Sequence, residues 1–172
     1  MMRRIFLPTV AAVSLWLSSD SSRALAQGKA KAGGWGKKAE EMMAAPAADV
    51  KWGELKVPGF DPGAQMAVMD GNPGAAGGVY TLRLKFPAGY HFPSHWHPNA
   101  EHLTVLSGSL TLAMGTSEDR SAEKTYGPGD FLMLPGRHPH YGGASAETVV
   151  QLHGVGPFKI VLAKKAGKST GN

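Results

Sequence analysis

The sequence predicts an all-β domain, and three observations predict it. From Val50 onward, short apolar runs alternate with Gly and Pro punctuation, in a chain of 172 residues holding 23 glycines and 12 prolines. One stretch, Val79 to Phe86, alternates cleanly: Tyr80, Leu82, Leu84 and Phe86 on one side, Val79, Thr81, Arg83 and Lys85 on the other. No stretch of the core sustains a helical period. Strands separated by turns every ten or so residues point to a sandwich or barrel.

The elements follow in order. Residues 27–49 are Gly/Ala/Lys-rich and low in apolar periodicity, which predicts a flexible linker with a short helix at Ala39 to Met43. Asp70-Gly71-Asn72-Pro73 reads as a turn before the Val79–Phe86 strand, and Pro87-Ala88-Gly89 ends that strand. His102 to Leu106 and Ser109 to Met114 are expected to form a hairpin around Ser107-Gly108. Gly127-Pro128-Gly129-Asp130 is a tight turn leading into a strand at Phe131 to Leu134. Thr148 to His153 and Phe158 to Ala163 are the last strands, joined through Gly154-Val155-Gly156-Pro157. Tyr80, Phe86, Phe131 and Met133 are expected in the core.

All seven histidines fall between His91 and His153, and the chain has no cysteine. Disulfide and thiol chemistry are therefore excluded, and any metal site must use nitrogen and oxygen. His95 and His97 stand at i and i+2, the spacing that puts two imidazoles on one face of an extended strand. Glu101 follows after a Pro98-Asn99 turn. Imidazoles with a carboxylate suit divalent manganese, iron, cobalt, nickel, copper or zinc. There is no G-x-S-x-G, and the Gly74–Gly78 segment lacks the lysine and helix of a phosphate loop.

The spacing G-x5-H-x-H-x3-E-x6-G, filled by Gly89, His95, His97, Glu101 and Gly108, resembles the first signature of the cupin superfamily without a mismatch. The second signature, G-x5-P-x-G-x2-H-x3-N, is met in part by Gly129, Pro135 and His140. Arg137 stands where a glycine is expected, and Ala144 where an asparagine is. The resemblance covers residues 50–165 and implies a small double-sheet jelly-roll barrel enclosing one divalent first-row metal ion (Mn, Fe, Cu, Ni or Zn). His95, His97, Glu101 and His140 would be its ligands. His138, two residues from His140, is the alternative fourth ligand should Arg137 shift the turn.

Three histidines and one carboxylate leave a five- or six-coordinate ion one or two positions for water, substrate or dioxygen. His138, Gln151, His153 and Tyr141 are candidates to orient the imidazoles. Gln151 and His153 share a strand face, which is expected to line the interior. His91 and His102 read as ordinary half-exposed histidines, and Trp96 should point away from the metal.

The ends carry an address. Arg3-Arg4, the apolar run Ile5 to Leu17 and Ala24-Leu25-Ala26 read as a cleaved signal peptide over residues 1–26, and Arg3-Arg4-Ile5-Phe6-Leu7 resembles a twin-arginine signal. Cleavage would remove Arg3, Arg4, Arg23 and Asp20, lowering the net charge from +5 to +3. A periplasmic or secreted protein with no remaining membrane anchor is expected, with a solvated tail at 166–172. Lysines at both ends are read as solvated, without nucleic acid as a partner. A small-molecule ligand and a homodimer through sheet edges are the expected partners. The resemblance implies a metal-dependent enzyme, oxidoreductase chemistry first and lyase or isomerase chemistry second. A non-catalytic ligand- or metal-binding barrel and a regulatory sensor are the competing readings.

Overall fold

The structure, a computed structural model, describes residues 42–164. The expected signal peptide, almost all of the expected linker and the expected tail lie outside the described residues. So does the expected helix at Ala39 to Met43, except for Met42 and Met43, which belong to no element. A single 3-10 turn, Ala47–Asp49, precedes the first strand.

Eleven strands follow among the described residues: β1 Gly53–Glu54, β2 Gln65–Gly71, β3 Val79–Phe86, β4 Tyr90–Trp96, β5 Glu101–Ser107, β6 Leu110–Met114, β7 Lys124–Tyr126, β8 Phe131–Leu134, β9 His140–Ala144, β10 Thr148–Val155 and β11 Val161–Leu162. They form two antiparallel sheets, a six-stranded one in the order β1-β2-β3-β10-β5-β8 and a five-stranded one in the order β11-β4-β9-β6-β7. This is an all-β, two-sheet jelly roll. Between the sheets lies one apolar core, drawn from the alternate residues of β3 (Leu82, Leu84), β5 (Leu103, Val105), β6 (Leu110, Leu112) and β10 (Val150, Leu152).

The β3 alternation is realised residue for residue, with Tyr80, Leu82, Leu84 and Phe86 buried. The expected hairpin at Ser107-Gly108 is not. β5 and β6 belong to different sheets, so the chain crosses from one to the other at Gly108. Gly108 has φ +82, and a Cβ there would lie 2.2 Å from the Glu147 carbonyl oxygen, so the crossing needs glycine twice over. Neighbouring strands in sequence look like hairpin partners whenever a short Gly turn joins them. Only long-range pairing, β5 with β10 and β6 with β9, separates them.

Phe131 and Met133 are also not core. They are 62% and 53% exposed, because β8 turns Leu132 and Leu134 inward instead. A four-residue strand with four hydrophobic residues carries no alternation from which to choose a face. The last predicted strand shrinks to Val161–Leu162; Phe158 to Ile160 form an irregular segment, with the Phe158 N–H donating to the Pro73 carbonyl at 2.7 Å.

Candidate metal centre

The site begins with a defect in β4. Paired with β9, Phe92 stands opposite Gly142 but His95 stands opposite His140, so β4 holds one extra residue between them. Pro93 lies in this bulge and has no N–H to give the ladder. The Ser94 N–H turns to the Glu118 carboxylate at 3.1 Å, and the Ser94 hydroxyl donates to the Gly115 carbonyl at 2.7 Å. The bulge switches which residues face inward. Tyr90 and Phe92 point in before it, and His95 and His97 after it. An unbroken strand with Phe92 inside would have put Ser94 and Trp96 in their place.

His140 reaches the same place by register. It is the direct cross-strand neighbour of His95, and the two ring centroids are 4.4 Å apart. His97 completes the group, 4.9 Å from His95 and 5.2 Å from His140 by ring centroid. The three imidazoles bring ligand nitrogens that all lie within 4.8 Å of one another, and all three residues are buried. His138 is exposed and outside this group.

Arg137 explains how His140 keeps its place without the expected glycine. Arg137 itself adopts φ +62, the left-handed conformation for which glycine is usually required. Its N–H donates to the His97 carbonyl at 2.7 Å, which ties the turn to the end of β4. Gly136 is the residue that could not be replaced for space: a Cβ there would lie 2.9 Å from the backbone of Pro98 and Asn99.

Each imidazole is oriented by a backbone carbonyl. His95 Nδ1 lies 2.8 Å from the Pro93 oxygen, His97 Nδ1 2.8 Å from the Lys159 oxygen and His140 Nδ1 3.2 Å from the His138 oxygen. A carbonyl can only accept, so Nδ1 carries the proton in all three, and each Nε2 keeps its lone pair for the centre of the cluster. Burial and mutual repulsion hold His95 down to about 2 and His97 down to about 4, and burial also lowers His140. All three rings are therefore neutral at neutral pH, the form that ligates a metal.

Glu101 enters from the opposite sheet, at the start of β5. Its Oε2 lies 3.4 Å from His97 Nε2, and its Oε1 is buried without a hydrogen-bond partner. This pair is not a salt bridge. Burial pushes Glu101 up to about 8 while it pushes His97 down, so both are driven neutral. Two acceptors facing each other require a proton or a cation between them. Three converging imidazole lone pairs are a donor set that a divalent first-row ion satisfies. The three imidazoles fit such an ion, while Glu101 stands beside them and is not part of the group whose ligand atoms all lie within 4.8 Å of one another.

The other expected orienting groups lie elsewhere. β10 buries Val150 and Leu152, which leaves Gln151 half-buried and His153 exposed on the outer face of the six-stranded sheet. There the His153 ring binds Thr81 Oγ1 at 3.1 Å and Gln151 Nε2 at 3.2 Å. The expectation of an interior Gln151 and His153 is therefore corrected: in Val-Val-Gln-Leu-His both parities carry a hydrophobic residue, and the larger pair, Val150 and Leu152, goes inside. Tyr141 is buried but on the side of β9 opposite His140, where its hydroxyl donates to the Asp119 carbonyl at 2.9 Å.

The cluster opens into a cavity of about 50 Å³, room for a few waters. Apart from His95, His97, Glu101 and His140, every residue lining it is hydrophobic. Phe60 and Phe158 were missed by sequence reasoning. Phe60 sets its edge against His95, centroids 4.9 Å apart, and Phe158 stacks on His97 at 5.4 Å and 13°. Both come from irregular segments, where periodicity gives no signal. Pro93 inside a strand was the one legible sign of the bulge.

Residues 82–155 match the family profile of the cupin domain. The dimethylsulfoniopropionate lyase DddQ of Ruegeria pomeroyi is 31% identical over 71 residues, 41% of this chain and 33% of the lyase. The match thus spans about a third of that relative's length. Among solved structures, the polyketide cyclase RemF from Streptomyces resistomycificus superposes with a TM-score of 0.59 at 20% identity, over 74% of this chain and 89% of the cyclase. A cupin-2 domain protein from Rhodospirillum rubrum gives 0.54 at 16% identity, over 74% of this chain and 83% of that one. The crystal structure of DddQ gives 0.54 at 23% identity, over 70% of this chain and 64% of the lyase chain. At these identities the likenesses establish the fold.

Proposed function

We propose that this chain, which carries a cupin domain over residues 82–155, is a metal-dependent enzyme acting on a small organic molecule. The observation that carries the reading is the set of three buried imidazoles, each with Nδ1 tied to a carbonyl and Nε2 turned to a common centre. A bound divalent ion would supply Lewis acidity, or a water acidic enough to ionise near neutral pH. The residues of the chain do the rest. His95, His97 and His140 would hold the ion, and Glu101 offers a carboxylate at the site's edge. Glu101 can bind the ion or, held near neutrality by burial, move a proton to or from a bound ligand. The hydrophobic lining excludes bulk water.

Oxidoreductase, lyase and isomerase chemistry all use such a centre; the likeness to a lyase covers too little of that protein to choose among them. Failing turnover, the same chamber is a ligand- or metal-binding barrel. The reading includes export through the signal at residues 1–26 and a homodimer in solution; N-terminal sequencing and sedimentation test these two. The central experiment is elemental analysis of protein purified without chelators or affinity metals. About one equivalent of a first-row metal is expected, falling to background in a His95→Ala, His97→Ala double variant. A full equivalent retained by that variant would refute the centre.

A further inference from the structure

The chamber's walls restrict what the centre can act on. Beyond the three histidines and Glu101, the lining offers no cation, hydroxyl or amide among the described residues. The lining residues with partial exposure are Leu55, Phe60, Phe158 and Ile160, so the rim is as apolar as the interior. Arg137 and His138, cationic or titratable side chains close to His140 in sequence, are exposed and take no part in the lining. A ligand carboxylate placed away from the ion would lose its water and meet only hydrocarbon, with Glu101 as the nearest charge-bearing group. One polar head can be met at the centre; among the described residues, no side chain of the walls meets a second.

We infer that the substrate is a small neutral molecule with one oxygen-bearing head for the metal and an apolar body held against Phe60 and Phe158, and that dicarboxylates, sugar acids and zwitterions are rejected. This rests on the metal-centre reading and names its substrate class. Phe60 is the specificity residue: half-buried at the rim, it packs on both His95 and Phe92, with centroids 4.9 and 6.3 Å away. Any body extending from the centre toward this side of the rim must pass it.

The test holds the head constant and changes the tail. Butanohydroxamic acid and succinic monohydroxamic acid share a metal-binding head, and their tails differ only in a terminal methyl against a carboxylate. Calorimetric titration into zinc-loaded protein is expected to show the methyl tail at least about tenfold tighter, since only the carboxylate must be desolvated without a partner. Phe60→Lys, which sets an ammonium at the rim, should cut that ratio below about threefold, and Phe60→Leu should keep it. Circular dichroism and one zinc equivalent establish that each variant is folded. Equal affinities in the parent protein, or a preference for the carboxylate, would overturn the inference and leave the metal centre standing. The same titrations on chelator-treated protein separate the two claims. Failure to take up zinc with the methyl tail still preferred overturns the metal reading and the metal-bound head, and leaves the selection for an apolar body standing. Failure on both counts overturns both.

Discussion

Two groups of histidines sit close together in this molecule, and only one of them is a metal centre candidate. Inside the barrel, His95, His97 and His140 converge on one point. Outside, on the six-stranded sheet, His102 and His153 are direct cross-strand neighbours, as close in register as His95 and His140 are inside. The difference lies in what each ring has left to offer. Every interior ring spends Nδ1 on a carbonyl and turns Nε2 to the centre, where that of His97 faces Glu101 Oε2 at 3.4 Å. The His153 ring spends both nitrogens, on Thr81 and Gln151, and His102 stacks on exposed Phe131 with centroids 6.0 Å apart. Proximity of imidazoles does not make a ligand set; unspent, convergent lone pairs shielded from water do.

The sharpest way to break this comparison is to remove the rings one by one. Alanine at His95, His97 or His140 should weaken zinc affinity by at least about 100-fold, because even outer partners of a ligand are worth 10- to 100-fold. Alanine at His102, His138 or His153 should change it less than about twofold. Competition with a chromogenic chelator measures both sets, and a large loss at His102 or His153 would erase the distinction.

The second contrast runs along β10, whose two faces belong to the two regions. Leu152→Ala should destabilise the fold by about 2–5 kcal/mol, as expected for a large-to-small change in a packed core. Gln151→Ala, which removes the bond from Arg83 Nε at 3.0 Å on the outer face, should cost about 1 kcal/mol or less. Urea unfolding midpoints of the two variants give the ratio directly.

The third uses pH on metal-free protein. The folded state refuses protons at His95 and His97 that the unfolded chain takes up below about 6.5, so stability rises with pH from about 4 to 6.5. Glu101 has the opposite sign: raised from 4.5 to about 8, it holds a proton in the folded state that the unfolded chain has released, so stability falls from about 4.5 to 8. The histidines outnumber it below 6.5, and only Glu101 acts above. Thermal midpoints should therefore peak near pH 6.5, and Glu101→Gln should flatten the decline above that value. Excess zinc should flatten it too, by keeping the carboxylate ionised. A curve still rising at pH 8 in metal-free protein would contradict the burial of Glu101.

The smallest effect is expected at Arg137. Glycine there relieves a left-handed residue but frees the unfolded chain, two terms of about 1 kcal/mol with opposite signs. A net change within about 1 kcal/mol, with zinc affinity unaltered, would confirm that the turn's conformation matters to His140 and its side chain does not.

Much of the centre was legible because its geometry is nearly local. His95, His97 and Glu101 lie within seven residues, and the strand-plus-turn spacing that puts them together is written in the chain. His140 came from the spacing of the second signature, which also favours it over His138, and the register of β9 on β4 sets it beside His95. The orienting groups were not legible, since two are carbonyls of residues two positions upstream and the third belongs to Lys159, far along the chain. Backbone oxygens carry no residue identity, and the side chains that the sequence offers for the role are His138, Gln151, His153 and Tyr141.

The sequence by itself determined the all-β class, the inward face of β3, the absence of thiol ligands and the pairing of His95 with His97 on one side of the chain. Each follows from side-chain type and short-range period. Tertiary structure alone decided that β5 and β6 part into different sheets at Gly108, that β10 buries Val150 and Leu152, and that Phe60 and Phe158 close over the histidines. Those outcomes depend on which surfaces meet across the barrel, and burial is settled by the partner an element finds, not by the element alone.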